Sequence, residues 1–346
     1  VKALLLHAPR GALEITDVAD PVCPPDGALV ALEACGICRS DHHAWVGADP
    51  DVVFPHVMGH ELAGRVLETG PELRGFAPGD RVTAPFILSC GRCAECTGGE
   101  PTACDAQKVI GFSIPGAFAE VIAVPHAAAN LVRLPDALPF DIAAGMGCRV
   151  TTAWRAVTQR GALAEGEWLA VHGCGGVGLS AIMIGRALGA RVAAVDPAPE
   201  ARALARALGA EATFDAPGAA EAIRAATGGG AHVSLDALGI TATFEASLRS
   251  LRKLGRHVQV GMPVGAHASP PLPLLELVYA RQLSLHGTRG MAAGGFPALF
   301  ELMERGRLDL SALITERVAL SETGRVLASM DHGQKPGVAV ITDFTR

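Results

Sequence analysis

The run Gly173-Cys174-Gly175-Gly176-Val177-Gly178 constrains this chain more than any other segment. It follows a strand-sized apolar run, Trp168–His172, and opens a helix-like stretch, Leu179–Leu188. A Gly-x-Gly-x-x-Gly in that setting is the turn of a βαβ unit that binds a dinucleotide. Gly173 and Gly175 permit a tight turn and close backbone approach to a pyrophosphate, Gly178 lets helix and strand pack closely, and the helix N-terminus favours the anion. Asp196 ends the next strand-sized run, Arg191–Val195. A carboxylate there accepts hydrogen bonds from an adenosine ribose and repels a 2′-phosphate, so the pattern favours NAD over NADP. Arg202 is read as a solvated helix arginine.

The same alternation of apolar strands and alanine-rich helices continues through His232–Leu238 and His257–Gly261, and it predicts a Rossmann-type, doubly wound parallel sheet over residues 150–286. Glu200–Leu208 reads as a helix with Leu204 and Leu208 on one face. Gly261, at the end of the last of these runs, is assigned to the cofactor site. Residues 1–149 have a different texture, with short β segments at Gly27–Glu33, Gly64–Glu68, Asp80–Thr83 and Gly116–Val124 closed by Pro and Gly. They predict a β-rich domain whose loops carry most of the Cys and His. Residues 287–346 hold one helix-like stretch, Phe296–Arg305, and strand-like pieces ending at Val338–Ile341, and are expected to rejoin the first domain.

Composition narrows the function classes. With 49% hydrophobic and 18% charged residues the chain has material for two cores and is not a disordered linker. Its net charge is -6, with no basic run to neutralise phosphates, which argues against nucleic-acid binding. The uncharged stretch Trp168–Gly185 is long enough to span a membrane, but it contains His172 and the glycine motif and is read as strand, turn and helix. Nine cysteines, an odd number, and an N-terminal run that meets His7 before any apolar leader forms point to a reducing cytoplasm.

Two groups of metal-ligating side chains stand out. Cys90-x2-Cys93-x2-Cys96-x7-Cys104 supplies four closely spaced thiolates, enough to close a tetrahedral zinc site with no position left for water. An iron–sulfur cluster is the competing use of four thiolates. The second group is dispersed: Cys38 in Gly36-Ile-Cys-Arg-Ser-Asp-His-His43, His60 in Gly59-His-Glu61, and Cys148 after Gly147. Spacing alone does not link them.

These motifs, in this order, resemble the zinc-dependent alcohol dehydrogenases of the medium-chain dehydrogenase/reductase superfamily over essentially the whole chain. The resemblance implies a GroES-like β-rich catalytic domain interrupted by the Rossmann domain, with the active site in the cleft between them. It implies that Cys38, His60 and Cys148 bind a catalytic zinc whose fourth position takes water or substrate oxygen, so that with the four-cysteine lobe the chain holds two zinc ions. Glu61 matches the glutamate beside that zinc, Asp41 the carboxylate that orients the ligand histidine, and Ser40 and His43 a proton relay that runs through the cofactor ribose. Arg39 matches a basic position near the pyrophosphate, alongside Gly173, Gly175, Gly176, Val177, Gly178, Asp196 and Gly261. Phe86 falls where relatives place an aromatic wall of the substrate pocket. Val338 stands where some relatives carry a pyrophosphate-binding arginine. Cys148, where polyol-type relatives commonly place an acid, favours the alcohol dehydrogenase branch. The implied activity is reversible NAD-linked oxidation of a primary or secondary alcohol to an aldehyde or ketone, by a homo-oligomer, tetramer before dimer. Polyol, formaldehyde and cinnamyl-alcohol dehydrogenases are the nearest alternatives, and a non-catalytic zinc-binding module is the alternative of a different class.

Overall fold

A computed structural model of the chain describes residues 1–332 and 337–345. The chain forms two units, Val1–Thr151 with Gly290–Glu301 and Leu310–Arg346, and Thr152–Arg289 with Leu302–Asp309. The segment Leu302–Asp309, expected to return with the C-terminal residues, groups instead with the second unit. There Leu308 is buried and the Arg307 guanidinium donates to the Ala187 carbonyl at 2.5 Å. Residues 333–336 and 346 of the expected C-terminal segment lie outside the described residues. Among the described residues no helix is long and apolar enough to cross a membrane.

The second unit is built on a six-stranded, all-parallel sheet. Its spatial order is Ala212–Phe214, Arg191–Val195, Trp168–His172, Ala231–Asp236, Leu251–Gln259 and Ser284–Gly287. All five residues of Trp168–His172 are buried, as a strand covered on both faces requires. The chain direction across the sheet reverses beside this strand, and a reversal of that kind opens a crevice at the carboxyl ends of the strands. The glycine motif begins there, and the helix that follows runs Gly176–Ala187. The helix Pro199–Ala207 packs differently from the expectation. Ala201 and Ala205 are its buried residues while Leu204 and Leu208 are only half-buried, because the small side chains let the helix lie close to the sheet.

In the first unit a seven-stranded sheet runs in the order Val132–Arg133, Arg81–Thr83, Glu61–Thr69, Ala28–Ile37, Val338–Asp343, Ile314–Ala319, with Val121–Val124 also on Ala28–Ile37. Its register does the work of assembly, since Gly36 pairs with Glu61 and Ile37 with Ala339. The strand expected over Gly116–Val124 forms only at Val121–Val124. Upstream of it, Gly116, Ala117 and Phe118 donate their amides to the carbonyls of Val57, Gly59 and Met58. Those bonds pin the segment that leads into His60. Gly59 has φ +95°, and a Cβ on it would lie 2.5 Å from the Phe118 ring, so no other residue fits this approach.

Two buried histidines line the parallel sheet. His172 Nε2 lies 3.3 Å from the Ser250 hydroxyl, and burial, then His257, pushes its pKa down to about 3. His257 Nδ1 lies 3.3 and 3.1 Å from the Ser234 and Ser247 hydroxyls, and burial holds it at about 4. Both are neutral in the fold, whereas in the unfolded chain they titrate near 6.5. The unfolded state therefore binds more protons below pH 6.5, and stability falls as pH drops from there towards 4. Each such histidine adds a slope approaching about 1.4 kcal/mol per pH unit. Urea unfolding at pH 7, 6 and 5 should show His172→Gln losing stability less steeply than the parent chain by about that amount; an unchanged pH slope rejects this account.

Candidate metal and dinucleotide sites

The dispersed residues Cys38, His60 and Cys148 come together, with Glu61 as a fourth. One donor atom from each lies within 4.8 Å of the others. All four are buried, His60 and Glu61 completely. Cys38 ends the strand Ala28–Ile37 and caps the helix Arg39–Trp45. Asp41, in the first turn of that helix, organises the corner: Oδ2 accepts the Cys38 amide at 2.8 Å, while Oδ1 accepts the Gly59 amide at 3.2 Å and lies 2.9 Å from His60 Nδ1. A carboxylate on Nδ1 fixes the tautomer and leaves Nε2 as a lone-pair donor.

His60 Nε2 is buried and has no hydrogen-bond partner. An orphaned imidazole nitrogen among two sulfurs is a costly arrangement unless a cation completes it. Two sulfurs and one nitrogen match the ligand preference of zinc in sites that keep an open position. Proton sharing points the same way. The hydrogen bond from Cys148 holds the Cys38 thiol well below its usual range despite burial, and the same bond raises Cys148, so the two sulfurs share protons as a pair. Burial opposes a charge on His60, yet Asp41 and Cys38 push it well above its usual value. Burial lifts Glu61 to about 7 against the pull of Arg149.

The neighbouring expectations fall as follows. Phe86 packs edge-on against His60, with ring centroids 5.5 Å apart. The Ser40 hydroxyl is 3.8 Å from Cys38 Sγ. His43 is half-buried with Nδ1 unpartnered, and burial, then His42 and Arg39, lowers its pKa below 6.5. The Arg39 guanidinium donates to the Met330 carbonyl at 2.8 Å. Val338 is a buried apolar residue at the start of its strand.

Cys90, Cys93, Cys96 and Cys104 form the second cluster, their sulfurs all within 4.8 Å of one another. Cys93 caps the short helix Ala94–Thr97. Its sulfur lies 3.4 Å from that of Cys96 and 3.7 Å from that of Cys104. Four sulfurs at 2.3 Å around a tetrahedral zinc are about 3.8 Å apart, whereas a disulfide needs about 2.05 Å. The backbone amides of Arg92 and Cys93 pull the Cys90 thiol down to about 6, which prepares it to ligate as thiolate. The cluster fits a structural zinc.

In the glycine motif Gly173 adopts φ +98°, and a Cβ on Gly178 would lie 1.8 Å from the Gly173 carbonyl oxygen. Gly175 faces open space and caps the helix, which begins Gly176-Val177. Asp196 accepts the amide of Cys174 at 2.8 Å through Oδ2 and that of Ala198 at 2.9 Å through Oδ1. Each oxygen keeps a second lone pair for a ribose hydroxyl. Arg202 folds back on the carbonyls of Asp196 and Pro197. Gly261 donates its amide to the Asp236 carbonyl at 2.8 Å, in a crossing so close that a Cβ would lie 2.3 Å from Leu238.

Two residues of the metal corner escape sequence reasoning. Phe112 tilts against the His60 ring with centroids 5.3 Å apart, and nothing in the sequence sets it apart from a core aromatic. Arg149 is 2% exposed and lies 3.1 Å from Glu61. The one local signal was its place directly after Cys148, where a fully buried arginine needs a carboxylate.

Residues 24–136 match the family model described as alcohol dehydrogenase GroES-like domain, and residues 176–305 the one described as zinc-binding dehydrogenase. An alcohol dehydrogenase of Geobacillus stearothermophilus is 32% identical over 99% of this chain and 98% of its own length. The solved alcohol dehydrogenase of a Thermus species superposes with a TM-score of 0.91 at 30% identity, covering 99% of this chain and 100% of that one. A solved structure described as an NAD-dependent alcohol dehydrogenase gives 0.88 at 28% identity, covering 99% and 100%.

Replacing one sulfur of the four-cysteine lobe should empty it, because a structural metal contributes directly to folding. Cys93→Ser is expected to lose one metal equivalent by elemental analysis and to melt at a lower temperature. Unchanged metal content and melting temperature would remove the lobe's assigned role.

Proposed function

Because this chain belongs to the zinc-binding alcohol dehydrogenases of the medium-chain dehydrogenase/reductase superfamily, we propose that it reversibly oxidises a primary or secondary alcohol to an aldehyde or ketone with NAD⁺ as hydride acceptor. In this reading Cys38, His60 and Cys148 hold the catalytic zinc and the four-cysteine lobe a second, structural one. The buried, partnerless Nε2 of His60 between two cysteines carries the assignment. Zinc held there would supply a Lewis acid to acidify an alcohol, and NAD⁺ held at the glycine turn would serve as the hydride acceptor. The small-molecule alcohol or carbonyl compound is the partner, the assembly a homotetramer, and the compartment the cytoplasm.

The chain's own groups divide the remaining work. Asp41 keeps the proton of His60 on Nδ1 and so presents Nε2 as a donor. Phe86 and Phe112 wall the imidazole and exclude water from its faces. Ser40 and His43 are three apart on the helix Arg39–Trp45 and share a face, on which the cofactor ribose would join them in the relay. With its pKa lowered, His43 is neutral at pH 7 and able to accept that proton. Gly173, Gly175, Gly176, Val177 and Gly178 would receive the pyrophosphate, Asp196 the ribose, and Gly261 would border the nucleotide; Arg39 keeps the basic role that the family resemblance gives it.

The direct test is NAD⁺ reduction over a graded panel of alcohols with zinc content measured on the same sample; no turnover with fully loaded zinc would overturn the reading. Asp196→Ala should raise the KM for NAD⁺ and narrow the preference over NADP⁺, since the ribose loses its acceptor and the phosphate its repulsion. A parent enzyme that already prefers NADP⁺ contradicts the cofactor assignment. His43→Gln should leave zinc content intact and slow alcohol oxidation by less than the roughly 10²–10⁴-fold typical of a general base. The deficit is expected to be widest near neutral pH and to close in two directions: in acid, where His43 is itself protonated in the parent, and in base, where hydroxide substitutes. Added imidazole should restore part of the rate. An unaltered pH profile and no imidazole response would eliminate the relay.

A further inference from the structure

The three donors Cys38, His60 and Cys148 arrive on three separate segments, and a single side chain binds the neighbours of all three. The Arg149 guanidinium donates through Nη2 to the carbonyl of Ile37, the residue before Cys38. Its Nη1 lies 3.1 Å from Oε2 of Glu61, the residue after His60. Its own backbone continues from Cys148, and the amides of Cys148 and Arg149 both donate to Glu61 Oε1, at 3.0 and 3.4 Å. The pair is sealed, with Arg149 2% and Glu61 0% exposed. Glycines press on the glutamate: a Cβ on Gly36 would lie 2.1 Å from Glu61 Oε2, and one on Gly147 2.7 Å from Glu61 Cα. No retreat is open to the carboxylate on those sides.

Glu61 is also the fourth donor of the cluster, near enough to bind the same cation as the other three. Its Oε2 faces Arg149 as an ion pair without an aligned hydrogen bond, so that oxygen keeps a lone pair uncommitted. A buried carboxylate beside a divalent cation enters its coordination sphere unless a competing cation holds it. Arg149 is that competitor, and its planar fork spans the Ile37 carbonyl and the carboxylate together, which a lysine ammonium does not reproduce.

We propose that Arg149 is a positioning residue of the metal centre: it clamps the three ligand-bearing segments to one another and keeps Glu61 from adding as a fifth ligand to a centre whose fourth position belongs to water or substrate. The inference rests on the reading that Cys38, His60 and Cys148 are the ligands, and the test separates the two.

Cobalt(II)-substituted protein reports the geometry directly, since d–d bands are intense in a four-coordinate site and weaken when a fifth ligand enters. The four-cysteine lobe contributes equally to every variant and cancels in difference spectra. R149M should lose d–d intensity, and the double variant R149M/E61Q should regain it. With the clamp gone and no carboxylate to replace it, the double variant should release zinc to a chelator roughly 10–100-fold faster than the parent, the range typical of losing a group that supports the ligands. The double variant removes both buried charges together and is therefore the form expected to fold if R149M alone does not. A cobalt spectrum of R149M identical to the parent's, or parental zinc release from the double variant, overturns the clamp. If Cys148→Ser leaves the thiolate-to-cobalt charge-transfer bands unchanged, the ligand assignment itself fails.

Discussion

Two fully buried carboxylates, those of Asp41 and Glu61, set the terms on which the first unit folds. A carboxylate removed from water is tolerable only when donors and cations surround it, and here nearly every donor comes from a segment that carries a candidate metal ligand. Asp41 collects the amides of Cys38 and Gly59 and the imidazole of His60. Glu61 collects the amides of Cys148 and Arg149 and the guanidinium of Arg149. Satisfying the two charges therefore brings the donor atoms to one point. Fold and site share one electrostatic requirement.

The same requirement explains what the sequence could and could not disclose. The four-cysteine lobe is local, with every ligand on one short loop, so spacing alone identifies it. The glycine motif is local too, because strand, turn and helix follow one another and Asp196 ends the next strand. Cys38, His60 and Cys148 are far apart in the chain; the register Gly36 opposite Glu61 joins the first two and the Cys148 amide on Glu61 brings in the third, and no periodicity reveals either. Family resemblance supplied that link. Arg149 was illegible for a further reason: whether an arginine is solvated or buried depends on what folds over it, and its neighbours Ile37 and Glu61 come from other strands.

Helix packing shows the limit of pattern reading within a well-marked region. Leucines four apart predicted the buried face of Pro199–Ala207, yet the alanines at 201 and 205 face the sheet. Both periods satisfy the same helical repeat, and the choice between them rests on the clearance beneath the helix. The strand predicted over Gly116–Val124 shortened for a related reason. Its first half gives its amides to Val57, Gly59 and Met58 without forming a regular ladder, and alternation of apolar residues does not distinguish those two uses.

The second unit solves its own problem with the same device. Asp236, completely buried at the end of a central strand, accepts the amides of Leu238 and Gly239, the Thr243 hydroxyl and the Gln259 amide. Its carbonyl takes the amides of Val260 and Gly261. Asp196 ties the glycine loop to the turn that follows the neighbouring strand. Loops at the ends of strands ordinarily have the least to hold them, and functional loops need defined positions. A carboxylate that gathers several backbone amides gives such a loop a fixed shape without an apolar core of its own. In both units these acids stand beside the residues that would meet ligand, so the rigidity that chemistry requires comes from charge, wholly or partly buried, satisfied by backbone.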